Sequence, residues 1–105
     1  MVLEVATIDV RPGEEAAFEA AYRTVRHAVA EAPGCHSMRV TRGVESPSRF
    51  VLLVEWDSVA VHEEFRASER FGVWRGGISP HFAKPPHVEH FTDVDPAGSQ
   101  GLAGG

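Results

Sequence analysis

An unbroken apolar run at residues 50–54, Phe-Val-Leu-Leu-Val, constrains the fold of this chain more than any other segment. The run is too short to cross a membrane, and its β-branched and aromatic residues favour a strand over a helix. A continuous apolar run is typical of a strand that is covered on both faces. Asp57 and Ser58 follow as helix N-cap residues, so the sequence predicts a central strand that leads directly into a helix.

Strand and helix patterns alternate on the N-terminal side of this strand. Residues 2–10 alternate imperfectly, with two largely apolar faces, and predict a strand. Apolar residues then recur at three- and four-residue steps through residues 14–32, which predicts an amphipathic helix that Pro33-Gly34 ends. Residues 35–42 predict a second strand, and we expect it to form an antiparallel hairpin with the central strand.

Two helices and a strand are predicted on the C-terminal side. The first helix begins after Ser58, and a shorter one begins after Ser68. The shorter helix contains glycines that should weaken or break it near its end, namely Gly72, Gly76 and Gly77. Residues 88–94 predict the last strand.

The resulting order, β-α-β-β-α-β, is that of an α+β, ferredoxin-like fold with helices on one face of an antiparallel sheet. The strands are apolar on both faces, whereas the helices cover only one, so we expect a homodimer that buries the open face. The domain is predicted to span residues 1–94, followed by a Gly- and Ala-rich tail at residues 95–105.

Composition narrows the class of protein. A chain of 105 residues with a formal net charge of −5 and no basic run is not typical of proteins that bind nucleic acid or anionic membranes. Cys35 is the single cysteine and cannot form an internal disulfide. The N-terminal residues lack the pattern of a signal peptide, so we expect a soluble, cytoplasmic protein.

Four segments resemble the antibiotic biosynthesis monooxygenase family. They are Pro33-Gly34-Cys35, the strand-to-helix junction Val54-Glu55-Trp56-Asp57-Ser58, residues 62–74 and Val88-Glu89-His90-Phe91. The resemblance covers residues 2–94, and it implies a dimeric α+β barrel of the ferredoxin-like type. Characterised members include cofactor-free oxygenases of aromatic polyketides and quinols, haem-degrading enzymes and isomerases, so the resemblance alone does not choose the chemistry.

Two branches of that family can be compared residue by residue. The haem-degrading branch uses an Asn on the first strand, then a Trp and a haem-ligating His on later helices, and these places hold Thr7, Phe65 and Arg75 here. The resemblance therefore does not imply haem degradation. The polyketide oxygenases use an Asn and a Trp four residues apart in the second helix. Residues 61–66 lack this pair, and Trp74 lies one helix later.

Four side chains are candidates for chemistry, each with a plainer alternative. His62 is a candidate general base, or else a surface histidine. His81 is a competing base from a lid loop, or else a solvent-exposed histidine. Arg75 is a candidate for stabilising a phenolate or oxyanion, or else an exposed helix residue. Trp74 either stacks on an aromatic substrate or only forms core or pocket wall.

A substrate cavity is predicted between the sheet and the helices, with its floor formed by Leu3, Val5 and Thr7 and its opposite wall by Phe65 and Trp74. One function that fits is a cofactor-independent monooxygenase that combines dioxygen with a small phenol, quinol or polyketide-like aromatic. The other is a non-catalytic dimeric module that binds a small apolar ligand or supports a pathway enzyme.

No metal, flavin or haem is predicted as a cofactor. After His62-Glu63, Arg66 stands where a zinc-protease helix would carry its second histidine. His87 and His90 are three residues apart on a predicted strand and so face opposite ways. No Gly-rich loop leads a strand into a helix, which argues against a nucleotide site.

Overall fold

The computed structural model describes residues 1–95 and confirms the predicted element order. Its elements are β1 (Val2–Asp9), α1 (Glu15–Val25), α2 (His27–Ala30), β2 (Cys35–Arg42), β3 (Arg49–Trp56), α3 (Val59–Arg66), α4 (Glu69–Ile78), a single 3₁₀ turn (Ser79–His81) and β4 (His87–Phe91). The predicted tail, apart from Asp95, lies outside the described residues. Within residues 1–95, no helix is both long and apolar enough to cross a membrane.

The four strands form one antiparallel sheet in the order β2-β3-β1-β4. The predicted hairpin of β2 and β3 is confirmed, and β3 lies inside the sheet as expected. The last strand is shorter than the predicted 88–94. Phe91 pairs with Leu3, so β1 offers almost no further partner beyond this point and the ladder ends there.

The predicted helix over residues 14–32 is present as two adjoining helices. The change falls at Arg26, whose backbone keeps right-handed helical angles and donates its N–H to the carbonyl of Tyr22. Gly34 then turns the chain with a φ of 82°, and a Cβ there would collide with the Val61 side chain. A glycine is therefore required where α2 passes into β2.

The glycines are predicted to weaken or break the short helix near its end, and the predicted break is wrong, because α4 continues through Gly72, Gly76 and Gly77 to Ile78. A Cβ added at Gly77 would lie 2.6 Å from a methyl of Val25, so this glycine lets α4 approach α1 closely. Packing against α1 outweighs the low helix propensity of glycine, which amounts to only about 1 kcal/mol per residue.

The helices cover one face of the sheet, which we call the inner face. Its central side chains are buried, among them Ile8, Phe50 and Trp56. The outer face carries an apolar group at its centre, Leu3, Val5, Val51 and Leu53, all of which are partly exposed in the single chain. Phe91 on the edge strand is 47% exposed beside them. The expected uncovered apolar face is therefore present.

Candidate functional site

A cavity of about 490 Å³ lies between the inner face of the sheet and the side formed by α3, α4 and residues 82–86. Its floor is apolar, from Ala6 and Ile8 of β1 and Leu52 of β3, and its helical wall is aromatic, from Phe65 and Trp74. This volume is typical of sites that hold a small organic ligand.

Two expected lining residues, Phe65 and Trp74, do line the cavity, but the expected floor is wrong. Leu3, Val5 and Thr7 lie on the outer face, because side chains alternate along β1 and the inner face carries Glu4, Ala6 and Ile8 instead. The sequence separated the two faces of this strand correctly. It did not decide which one the helices cover, since both are largely apolar.

Glu4 is a carboxylate buried in the floor, with only 6% of its surface exposed. The indole Nε1 of Trp56 donates a hydrogen bond of 2.9 Å to its Oε1. Burial raises the pKa of Glu4 above its usual value, and the Trp56 hydrogen bond and the nearby Arg66 charge only partly oppose this. Oε2 has no hydrogen-bond partner within residues 1–95. Every fully buried side-chain oxygen in that range has one, so Oε2 must keep some accessible surface, and Glu4 lines the cavity.

His62 is also buried, with 4% of its surface exposed, so its interpretation as a surface histidine is wrong. Ser58 caps α3 by accepting a hydrogen bond from the N–H of Val61, and this start points His62 and Phe65 inward. The imidazole stacks on the Trp56 indole, with ring centres 5.0 Å apart and planes 12° from parallel. The ring is held between β3 and the cavity.

The two ring nitrogens of His62 have different neighbours. Nδ1 forms a hydrogen bond of 2.7 Å with Nε2 of His90, while Nε2 lies 3.3 Å from Glu4 Oε1 on the cavity side. Burial, with smaller effects of His90 and Arg66, lowers the pKa of His62 to about 4. The imidazole is therefore neutral at pH 7 and able to accept a proton, although its imidazolium form is strongly disfavoured.

Three cationic side chains lie in the cavity lining where it opens to solvent, Arg66, Arg75 and Lys84. Lys84 is 3.4 Å from Asp9, and the Arg66 guanidinium lies 5.7 Å from the ring centre of Phe71. Neither arginine has an ion-pair partner within the described part of the chain. In a chain whose net charge is −5, this cluster makes the cavity mouth locally positive.

His81 lies apart from the cavity, and its expected lid position is wrong. The residue ends the 3₁₀ turn, and its Nδ1 is 2.9 Å from Oε1 of Glu14, at the start of α1. Arg11 and then His81 lower the pKa of Glu14 to about 2. His81 is not among the cavity-lining residues, whereas its neighbours Ser79 and Phe82 are.

Sequence reasoning missed Glu4 and His90 as site residues. Glu4 carried a usable signal, because it is the one acidic residue in the otherwise apolar row that β1 turns inward. His90 carried less, because its contact with His62 depends on the register in which it pairs with Glu4. Within residues 1–95, no group of three or more His, Cys, Asp or Glu residues is arranged to hold a metal ion.

Comparison with known proteins agrees with this architecture. The family model for antibiotic biosynthesis monooxygenases matches residues 1–76. The chain belongs to this family. A curated relative, the uncharacterised protein YczJ of Bacillus subtilis (strain 168), is 32% identical over 95 residues, which covers 90% of this chain and all of YczJ.

Solved structures of the family share the fold. A candidate antibiotic biosynthesis monooxygenase of Bordetella bronchiseptica is 40% identical, covers 89% of this chain and 96% of its own, and superposes with a TM-score of 0.85. A second one, from Nitrosomonas europaea, is 18% identical and covers 90% and 100% of the two chains with a TM-score of 0.78, which supports the fold alone.

Proposed function

We propose that this protein is a cofactor-independent monooxygenase that acts on a small phenol, quinol or polyketide-like aromatic and uses dioxygen as its second substrate. The observation that carries the proposal is the cavity itself. Its walls are mainly apolar and aromatic, and the buried pair Glu4 and His62 borders it from the sheet side. A mainly apolar cavity bordered by a neutral imidazole suits a reaction that proceeds through a substrate anion.

In this proposal the substrate is the reductant. His62 removes the phenolic proton, and the electron-rich anion reacts with dioxygen at carbon. Trp74 stacks on the aromatic ring, and Arg75 at the mouth supplies the counter-charge for the anion. The peroxide formed on carbon then loses water to leave a carbonyl group.

The alternative is a dimeric module that binds a small apolar ligand without turning it over. The aromatic wall formed by Phe65, Phe71 and Trp74 supports this possibility, because it would hold such a ligand equally well. The buried Glu4 and His62 favour the enzyme, since burying two titratable groups beside a purely apolar ligand costs free energy without improving the fit.

A homodimer forms part of the proposal. The outer face of the sheet carries Leu3, Val5, Val51 and Leu53 in a partly exposed group, with Phe91 next to it. A second copy packed face to face would bury this group at the usual spacing of about 10 Å between sheets.

The test uses 1,4-dihydroxynaphthalene as a probe quinol, with dioxygen labelled as ¹⁸O₂. Monooxygenation converts the quinol and one dioxygen into 2-hydroxy-1,4-naphthoquinone and one water, with one labelled oxygen in the product. Uncatalysed oxidation instead gives 1,4-naphthoquinone and hydrogen peroxide without the label. We expect saturable formation of the labelled product, and a loss of roughly 10²–10⁴-fold in His62→Gln.

Two outcomes would count against the enzyme. Saturable binding of the quinol with only the background products would favour the binding module. Equal rates for the wild type and His62→Gln would remove the proposed base. A variant of an exposed α3 residue, Glu64→Gln, is the matched control and should turn over normally.

A further inference from the structure

A row of polar side chains crosses the inner face of the sheet and ends at its edge. It runs from the Trp56 indole through Glu4 and His62 to His90 on the edge strand β4. The distances are 2.9 Å from Trp56 Nε1 to Glu4 Oε1, 3.3 Å from Glu4 Oε1 to His62 Nε2 and 2.7 Å from His62 Nδ1 to His90 Nε2. Glu4 and His62 border the cavity, whereas His90 does not.

The outer end of the row reaches solvent. His90 is half-buried, and its Nδ1 has no hydrogen-bond partner within residues 1–95. No buried side-chain nitrogen in that part of the chain is unpaired, so this nitrogen keeps accessible surface. The row therefore joins a cavity nitrogen, His62 Nε2, to a solvent nitrogen, His90 Nδ1, through a single hydrogen bond.

That hydrogen bond couples the tautomers of the two imidazoles. If His62 carries its proton on Nδ1, it donates to a bare His90 Nε2, and a neutral His90 then carries its proton on Nδ1. If His62 carries its proton on Nε2, its bare Nδ1 must accept from His90 Nε2–H. Both arrangements satisfy the hydrogen bond. In the first, His90 Nδ1 at the solvent end holds a proton and His62 Nε2 is bare; in the second, His62 Nε2 at the cavity end holds one.

We propose that His62 and His90 form a proton relay that carries the substrate proton from the cavity to solvent, with Glu4 as the residue that positions the inner end. The relay rests on the proposed function for its substrate, and it assigns His90 a role in proton transfer without contact to the ligand.

The proton steps balance along the row. The substrate O–H bond breaks as His62 Nε2–H forms, His62 Nδ1–H breaks as His90 Nε2–H forms, and His90 Nδ1–H breaks as water takes the proton. When the peroxide loses its distal oxygen as water, the same path runs in reverse and takes a proton from solvent. The dioxygen of the proposed reaction is the oxidant, and the relay returns to its starting state.

A relay explains how a buried histidine can serve as a base. A simple base would have to become imidazolium, which burial, His90 and Arg66 all oppose, as the lowered pKa of His62 reflects. In the relay His62 gains one proton as it loses another and stays neutral. Among residues 1–95, the titratable and charged groups near this part of the row are Glu4 on β1, Cys35 on β2, Arg66 on α3 and His90 on β4.

The first test needs no substrate. Histidine ¹⁵N shifts are recorded by NMR from pH 8 down to pH 5 in the wild type, in His90→Gln and in His87→Gln, a matched control on the same strand that faces away from His62. When His90 takes up a proton it can only donate to His62. We expect His62 to move to the Nε2–H tautomer at that point while its ring stays neutral, and we expect this switch in His87→Gln but not in His90→Gln.

Two NMR results would overturn the relay. One is a His62 tautomer that stays the same when the His90 ring is seen to carry both of its N–H protons. The other is a His62 ring that becomes imidazolium in the same step. Because both are read in the wild type, the test does not depend on whether a variant folds.

The second test separates the relay from the proposed function, using 1,4-dihydroxynaphthalene. We expect His90→Gln to lower kcat roughly tenfold or more with KM little changed, and added imidazole buffer to restore part of it. Unchanged turnover and pH profile in His90→Gln would overturn the relay and leave the oxygenase intact. A tautomer switch in a wild type that turns over nothing would support the relay and count against the oxygenase.

Discussion

Replacing Gly77 by alanine should destabilise the protein, whereas the same change at its neighbour Gly76 should stabilise it. In a helix such as α4, alanine is favoured over glycine by roughly 0.5–1 kcal/mol. A Cβ at Gly76 meets no atom within 4 Å, so Gly76→Ala should gain about that amount. A Cβ at Gly77 would lie 2.6 Å and 2.9 Å from the two methyls of Val25, and overpacking of this kind costs about 1–3 kcal/mol.

The two variants should therefore differ by about 1–3 kcal/mol in the free energy of unfolding. Rotation of the Val25 side chain would relieve the clash only in part, because its Cβ, 3.3 Å away, would stay in tight contact. Urea unfolding at one fixed protein concentration measures the difference. Combining Gly77→Ala with Val25→Ala should remove most of the penalty. Equal stabilisation by both glycine variants would refute the close approach of α4 to α1, and with it the position of the wall that carries Trp74.

Three further predictions follow from the same structure. Between pH 7 and pH 4.5 the free energy of unfolding should fall by about 2 kcal/mol more in the wild type than in His62→Gln, because His62 binds a proton near pH 6.5 in the unfolded chain and only near pH 4 in the folded one. Urea unfolding at several pH values measures this, and an equal fall in the two proteins would contradict it. In sedimentation, the wild type and the control Glu64→Gln should run as dimers, whereas Leu53→Glu should run as a monomer. A Leu53→Glu protein that is still a dimer would exclude the outer face as the interface. By fluorescence, anionic 8-anilinonaphthalene-1-sulfonate should bind more tightly than uncharged N-phenyl-1-naphthylamine. Arg75→Gln should lower the ratio of the two affinities by roughly threefold to tenfold, whereas Arg70→Gln should leave it unchanged. An equal effect of both variants would argue against a specific role of Arg75 at the mouth.

The order of elements could be predicted because each element carries its own local signal. The run at residues 50–54 marks an inner strand, and Ser58 caps the helix that follows it. The choice between the two faces of β1 could not be made in this way. Both faces are largely apolar, and only the packing of the helices decides that Ile8 is buried and Val5 is not.

The site was partly predictable for a related reason. His62 lies one turn after the Ser58 cap, between residues that pack inward, so helix periodicity brings it to the cavity. His90 depends on a contact across 28 residues of chain and on the register of β4 against β1, which no local pattern contains. His81 was misplaced because its tie to Glu14 spans 67 residues and pulls it toward α1.

The central claim is that an aromatic phenol binds between the inner face of the sheet and the helices α3 and α4. An NMR titration with 1-naphthol, a phenol that lacks the second hydroxyl of a quinol, tests it most directly. We expect saturable shifts at the Trp74 indole N–H, the His62 ring and the amide of Ile8, while the side-chain methyls of Leu53 on the outer face stay unchanged. Shifts confined to the outer face, or none up to the solubility limit of the phenol, would contradict it.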